Sequence, residues 1–319
     1  MTQNTISRLF LGLATLLFKL SAASATTLLA SSYTTGNILE FDAATGAYQG
    51  EFVSAASSGG LAQPQGFVFG SDGKFYVSSF GTSQIKRYDA STGAFIDNFA
   101  STASGSRGLA FDANGLLYAA YGSSVARYDS SGNIDAAFTH TFAATATGVI
   151  KGVDNDIYVS WGSNSVLGGI ARYDTVNNTW NDAWRTDSAG QAWYITQDAS
   201  GTLYLGSSGT TQVFRDDGTT LVPFISGITD LDRPRGLTFG PDGNLYVGGF
   251  GGVSRSNILH FNGTTGAYLG TFATGGGLDQ PFFLGIAPSA VPLPAAAWLF
   301  GSALAGLGVF GRRKKPVEA

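Results

Sequence analysis

The sequence predicts an all-β fold, a six-bladed β-propeller. Three observations carry that prediction. A unit of about 43 residues repeats along the chain. Each copy reads as four short strands, and the two ends of the repeating region supply complementary parts of one further unit.

The repeat is plainest where Pro64 to Tyr76 and Pro234 to Tyr246 match position by position, including the Phe-Gly-x-Asp-Gly turn. The aligned tyrosines are Tyr76, Tyr118, Tyr158, Tyr204 and Tyr246, spaced by 42, 40, 46 and 42 residues. Each copy continues into a second alternating segment, Ile85 to Asp89, Val125 to Asp129, Ile170 to Asp174 and Ile258 to Asn262, then a turn and a last strand. The segments are short and rich in Val, Tyr, Phe and Thr, with Asp-Gly, Asn-Gly and Thr-Gly pairs between them, as in hairpin-linked antiparallel strands. A four-stranded sheet on this period buries both faces only against like neighbours in a ring.

The ends predict how the ring closes. Leu28 to Phe52 aligns with Phe75 to Phe99 and so supplies the three outer strands of a blade. Pro281 to Ala287 aligns with Pro64 to Gly70 and supplies the missing innermost one. Pairing the two removes the open edge and brings the number of blades to six.

The pattern Gly-Leu-x-Phe-x-x-Asp-Gly-x-Leu-Tyr-Val, followed by Ile-x-x-Phe/Tyr-Asp and Thr-Gly, resembles the NHL repeat family over residues 28 to 288. It departs from that family at Ser78, Ser160 and Gly248, where the family often has Asp. The Gly-His and Trp-Asp signatures of WD-repeat propellers are absent. The resemblance implies a fold rather than a function.

Both ends read as addresses. Residues 1–25 carry Arg8, the apolar run Leu9 to Phe18 and then Ala23-Ser24-Ala25, the order of a cleavable secretory signal. Residues 26–290 form the predicted propeller domain. Residues 291–319 begin Val291-Pro292-Leu293-Pro294-Ala295, continue through an uncharged apolar stretch and end in the cluster Arg312, Arg313, Lys314 and Lys315. A helix over 296–311 is about 25 Å long, the short limit for a bilayer core, and the cluster holds its far end on the cytoplasmic side. The tail resembles the PEP-CTERM sorting signal in its Val-Pro-Leu-Pro-Ala variety. That resemblance implies an exosortase-type processing enzyme as partner, membrane attachment through the helix before processing, and export to the envelope or extracellular matrix of a Gram-negative bacterium that exports polysaccharide.

Composition narrows the chemistry. The chain has no Cys, which excludes disulfides, thiol catalysis and thiolate metal sites. It has 18 basic and 22 acidic residues. Setting aside Arg8, Lys19, the four tail cations and Glu318 leaves 12 and 21 over residues 26–294, a formal charge of −9. Such a surface argues against nucleic acid as a partner.

Ligands of propellers usually meet the mouth of the central channel. The alignment places Gln65, Arg107, Thr147, Trp193, Arg235 and Phe282 at the opening of the six innermost strands, followed by Gly66, Gly108, Gly148, Tyr194, Gly236 and Phe283. Neither ring contains a carboxylate. The sugar-lactonase propellers that the pattern is similar to hold a divalent cation there with acidic and amide groups, so no metal and no cofactor is expected here. Asp72, Asp112, Asp156, Asp198 and Asp242 recur at the first hairpin and read as turn residues. A second ring of Tyr33, Phe80, Tyr121, Trp161 and Phe250 is predicted on the channel-mouth face. The candidate ligand-binding set is therefore Gln65, Arg107, Tyr121, Trp161, Trp193, Arg235 and Phe282, an aromatic and cationic collar suited to sugar rings and acidic groups.

Only two histidines exist, and both are read as sheet residues away from the channel: His140 in an outermost strand and His260 in the slot of Arg87, Arg127 and Arg172. The reading favours a non-catalytic exported propeller that engages extracellular polysaccharide or an envelope protein. The alternative is a propeller enzyme of the streptogramin-lyase or sugar-lactonase kind.

Overall fold

In the computed structural model, residues 26–163, 165–166, 168–186 and 191–288 are described. They form 24 strands in six four-stranded antiparallel sheets. The first three are β1 (Thr27–Ser32), β2 (Asn37–Asp42) and β3 (Tyr48–Val53). The next blade holds β4 (Pro64–Phe69), β5 (Lys74–Ser79), β6 (Gln84–Asp89) and β7 (Phe95–Ser101). It is followed by β8 (Ser106–Phe111), β9 (Leu117–Tyr121), β10 (Ser124–Tyr128) and β11 (His140–Thr141). Then come β12 (Ala146–Lys151), β13 (Ile157–Trp161), β14 (Gly169–Asp174) and β15 (Thr179–Thr186). The fifth set is β16 (Ala192–Gln197), β17 (Leu203–Ser207), β18 (Gln212–Asp216) and β19 (Leu221–Ile225). The last complete blade comprises β20 (Asp232–Phe239), β21 (Leu245–Gly251), β22 (Asn257–Phe261) and β23 (Tyr268–Thr274), and β24 (Pro281–Ile286) ends the ring.

The closing blade has the order β24-β1-β2-β3. Leu28 pairs with Ile286, Leu29 with Gly285, Ala30 with Leu284 and Ser32 with Pro281. Phe283 packs in one cluster with Ile38, Leu29 and Phe67, so the two ends of the ring share a core as well as a ladder. The result is the predicted all-β six-bladed propeller, and Thr26–Pro288 is one compact unit. The predicted secretory signal over 1–25, the sorting motif, the helix over 296–311 and the basic cluster all lie outside the described residues. Among the described residues no helix is long and apolar enough to cross a membrane.

The core lies between blades. Aromatic residues of one sheet wedge against the next: Tyr76 meets Phe111 edge-on at 5.0 Å, and Tyr204 meets Phe239 at 4.9 Å. Fully burying one such side chain stabilises the fold by about 1.5–3 kcal/mol. The phenol of each wedge donates to a turn Asp, as in Tyr76 Oη to Asp72 at 2.9 Å and Tyr246 Oη to Asp242 at 2.9 Å. In the third hairpin Asp154, not Asp156, takes that role, accepting from Tyr158 Oη at 2.7 Å. Asp156 is buried instead and pairs with Arg172 at 2.5 Å. One blade is short at its rim, where β11 has two residues.

Candidate functional site

A feature that the sequence did not announce positions the channel residues. In every blade the innermost strand shifts register against its partner near its start, directly after its first residue in five blades and after its third, Pro234, in β20. Pro64 pairs with Ser79 and Phe67 with Val77; Ser106 pairs with Tyr121 and Leu109 with Ala119. The same step follows Ala146, Ala192, Pro234 and Pro281 in the other blades. Each step is a β-bulge, one extra residue that leaves the ladder and bends the strand. It frees the pair of positions that the alignment singled out, Gln65 with Gly66 through Phe282 with Phe283.

The second residue of each bulge governs how closely the inner strands converge. A Cβ on Gly66 would stand 2.5 Å from the Arg107 carbonyl oxygen, and one on Gly108 would stand 2.4 Å from the Val149 amide. Glycine lets these neighbours touch. In the two blades without it, Tyr194 and Phe283 meet edge-on at 5.1 Å, and Tyr194 Oη donates to Gln65 Oε1 at 3.1 Å across the axis. These side chains form a floor beneath the collar.

Above the floor the first bulge residues assemble the collar itself. The Arg235 guanidinium carbon lies 3.7 Å from the Trp193 ring centre and 4.2 Å from those of Phe250 and Phe282. The Arg107 guanidinium lies 4.7 Å from Phe80 and 5.6 Å from Trp193. Tyr33 stacks on Phe282 at 4.3 Å, and Trp193 stands edge-on to Phe282 at 5.7 Å. The indole N–H of Trp193 donates to Ser208 Oγ at 2.6 Å, which fixes the ring. Gln65 and Thr147 occupy the equivalent slots in their blades. Thr147 donates to the Trp193 carbonyl at 2.9 Å and thus ties two inner strands together.

Neither arginine has an acidic partner among the described residues. The Nε of Arg107 and of Arg235 is buried without a hydrogen bond. Burial, together with the neighbouring Arg233 and Arg107 charges, pushes the Arg235 pKa down to about 9, so the group is still a cation at neutral pH. Burial lowers Arg107 in the same direction.

Backbone strain gathers on this face. Of the seven non-glycine residues with left-handed φ among those described, Gln63, Arg233 and Gln280 precede the prolines after which inner strands shift register, and Ser83 and Thr211 lie in the loops between second and third strands. Asn155 and Asn178 are the two that sit in hairpin turns instead. Such conformations cost about 1–3 kcal/mol each and collect where surrounding structure over-determines the chain.

Tyr121 and Trp161 do not join the collar. Each is the register partner of an inner-strand opening residue, Ser106 and Ala146, whereas Tyr33, Phe80 and Phe250 stand one residue beyond the equivalent partners Ser32, Ser79 and Gly249. A one-residue offset turns a strand side chain to the other face. Tyr121 accordingly packs with Tyr76 and Tyr128 between blades. Trp161 stacks on Phe142 at 5.7 Å and donates to the Asp182 carbonyl at 3.0 Å. Gly122, Gly162 and Ser208 hold the true equivalents of Phe80.

The histidines lie elsewhere. His140 stacks on Trp180 at 4.2 Å and contacts Asp182 at 2.8 Å; His260 stacks on Tyr246 at 5.1 Å, with Asp242 at 3.6 Å. No group of three or more His, Cys, Asp or Glu side chains among the described residues is arranged to hold a metal ion. A cleft of about 660 Å³ is lined by Asp198, Asp216 and Asp217, but these carboxylates already accept from turn amides or from Arg185. A second cleft, of about 540 Å³, lies at the far ends of the inner strands among Phe67, Leu109, Val149 and Phe283.

No family model matches the chain, and no curated protein matches it. Solved structures do share its fold. A Bacteroides caccae protein of unknown function superposes with a TM-score of 0.61 at 11% identity, over 83% of this chain and 99% of that one. A streptogramin B lyase superposes with a TM-score of 0.59 at 13% identity, over 82% and 87%. A catalytically inactive histidine-to-alanine variant of the Staphylococcus aureus virginiamycin B lyase, solved with quinupristin, gives 0.56 at 14% identity, over 83% and 94%. At these identities the likeness establishes the six-bladed propeller and nothing finer.

Proposed function

We propose that the chain is an exported, non-catalytic propeller that binds extracellular polysaccharide on its collar face. The observation that carries this reading is the collar: five aromatic rings, Tyr33, Phe80, Trp193, Phe250 and Phe282, grouped around two guanidiniums with no carboxylate partner among the described residues. The partly exposed rings of Tyr33, Phe80 and Phe250 can stack on sugars, Trp193 and Phe282 are buried behind them, and unpaired guanidiniums take the acidic groups of a glycan. The signal-like N-terminus and the PEP-CTERM-like tail support an exported location, with Val291 to Ala295 as the processing motif and an exosortase as the processing partner.

The second reading, an enzyme of the streptogramin-lyase kind, draws on the shared fold. Its support is weaker because neither His140 nor His260 touches a collar residue, and general acid–base chemistry needs a group within hydrogen-bond reach of the reacting atom.

Retention on immobilised polyuronate compared with neutral glucan tests the proposal. Binding to polyuronate that is lost in an Arg107→Ala, Arg235→Ala protein with an unchanged melting temperature is the expected result. Undiminished binding by that variant overturns the site. Turnover of a streptogramin that stops on adding a chelator supports the enzyme instead.

A further inference from the structure

The way the two guanidiniums are packed limits what can reach them. Arg235, only 8% exposed, lies against three ring faces. Arg107 lies against Phe80 and Trp193. Rings stacked on a guanidinium cover its flat faces, and because Nε of both arginines is buried, the two Nη groups are the fork that can match two oxygens of one oxyanion. A neutral hydroxyl uses one such donor; a carboxylate or sulfate uses a pair.

The two cations share a scaffold. Trp193 touches both, and Tyr33 links the Phe282 beside Arg235 to the Phe80 beside Arg107, through ring contacts at 4.3 and 6.4 Å. Tyr33 is partly exposed, and its phenol makes no hydrogen bond with the described residues. Its pKa is raised by burial, with Arg107 and Arg235 opposing that shift, so the hydroxyl lies in the field of both. Beneath them Tyr194 Oη is committed to Gln65. Asp232, the acid nearest in sequence to Arg235, is paired with Arg233 at 3.3 Å. Like charges held close together on one aromatic frame repel, and an anion seated between them reverses the sign of that interaction.

Resting on the polysaccharide reading above, we infer that Arg107, Arg235 and the Tyr33 phenol form a single oxyanion site. It takes the carboxylate of a uronate or the sulfate of a sulfated sugar edge-on, while Trp193, Phe250 and Phe282 hold the guanidiniums in place. Left-handed backbone at Arg233 and Gln280 directly precedes the prolines from which the bulges carrying Arg235 and Phe282 begin.

The test uses the purified full chain and its tryptophan fluorescence, because Trp193 lies against both arginines. The probes are glucuronate, its methyl ester, glucose and glucose 6-sulfate. Saturable binding of glucuronate or of glucose 6-sulfate, with no response to ester or glucose, is the expected result, and the stronger of the two identifies the source of the oxyanion. Arg235→Lys keeps the charge and loses the fork; Tyr33→Phe loses only the hydroxyl. The first weakens binding about tenfold or more, the second a few fold, with unchanged melting temperatures. Equal binding of glucose and glucuronate, no binding of either acid, or full affinity in Arg235→Lys overturns the oxyanion site. Polymer binding without acid selectivity defeats this inference alone, and glucuronate binding without polymer binding defeats the polysaccharide reading alone.

Discussion

Arginines on the blade flanks and arginines at the collar share one habit and differ in another. On the flanks, Arg87 lies 5.0 Å from the Phe99 ring and Arg127 4.4 Å from Phe138, and each also meets a carboxylate, Asp97 or Asp135, at 2.5 Å. Arg172 and Arg185 are likewise paired, with Asp156 and Asp216. Arg107 and Arg235 have the aromatic contacts without the acid. Stacking alone therefore does not mark a recognition residue in this molecule, and neither does a missing ion pair alone, since the half-buried Arg215 lies 5.5 Å from the Phe224 ring with no acid paired to it among the described residues; what sets Arg107 and Arg235 apart is a buried guanidinium nitrogen left without a partner. The blade architecture does not require a cation at that slot, since Gln65 and Thr147 fill it in other blades, where Gln65 Oε1 accepts from Tyr194 and the Thr147 hydroxyl donates to the Trp193 carbonyl. Leaving a guanidinium buried and uncompensated costs stability that no packing need explains.

The comparison assumes that the bulges hold the inner strands in contact, and the largest effect tests that frame. In Gly108→Ala the new methyl meets the Val149 amide at 2.4 Å and the Thr147 carbonyl oxygen at 2.7 Å, both backbone atoms that cannot step aside. A loss of about 3 kcal/mol in urea unfolding is expected. Gly73→Ala, at φ +75° with open space around it, is the control and loses about 1 kcal/mol from conformation alone. Equal losses in the two would mean that the collar is not held by convergent strands. Next in size is a flank cation: Arg172→Met strands Asp156, whose side chain is 6% exposed, with only the Thr175 amide and hydroxyl nearby. It loses about 2 kcal/mol.

The ring and its closure were legible because blade formation depends on local signals, turn pairs and alternation, and these repeat. Pro281 to Ala287 could be matched to Pro64 to Gly70 by eye, and the ladder from Leu28 to Ser32 follows. The bulges did carry a signal, since Gly66, Gly108, Gly148 and Gly236 recur inside otherwise strand-like segments, but a glycine there is equally compatible with close packing of neighbouring strands. Tyr121 and Trp161 resemble Phe80 in the repeat but stand one residue earlier in register, and that single-residue offset turns them to the other face. A Gly at 122 and 162 opposite Phe80 was the available clue. Asp156 was missed for a similar reason. The hairpin Asp-Asn-Asp offers two acids, and the spacing of four residues before the tyrosine, shared with Asp72 and Asp242, selects Asp154.

Acid titration sharpens the comparison at a smaller scale. Arg87 donates to Asp97 and holds its pKa below the ordinary 3.8. Between those two values the unfolded chain binds more protons, so this pair's contribution is complete above pH 3.8 and fades as pH falls through the lowered value. Asp97 is partly exposed and screened, so Arg87→Met loses about 0.5–1 kcal/mol at pH 7. The gap between variant and wild type closes toward pH 2, near the bottom of the carboxylate range. A gap that persists there would assign the loss to the Arg87 contact with Phe99 instead.

Arg235→Met should give the smallest change in stability, and it bears most directly on the contrast. The substitution forfeits cation–π contacts to Trp193, Phe250 and Phe282 and removes a desolvated charge flanked by Arg107 and Arg233. These terms oppose each other, and replacing a buried ionic group with an apolar side chain of similar volume is often neutral or stabilising. Urea unfolding at pH 7 should shift by less than about 1 kcal/mol. The acid limb should overlay that of wild type, because no carboxylate among the described residues titrates against this cation. A loss as large as that of Arg172→Met, or an acid limb that flattens as in Arg87→Met, would reveal an acidic partner and place Arg235 with the flank arginines rather than at a recognition site.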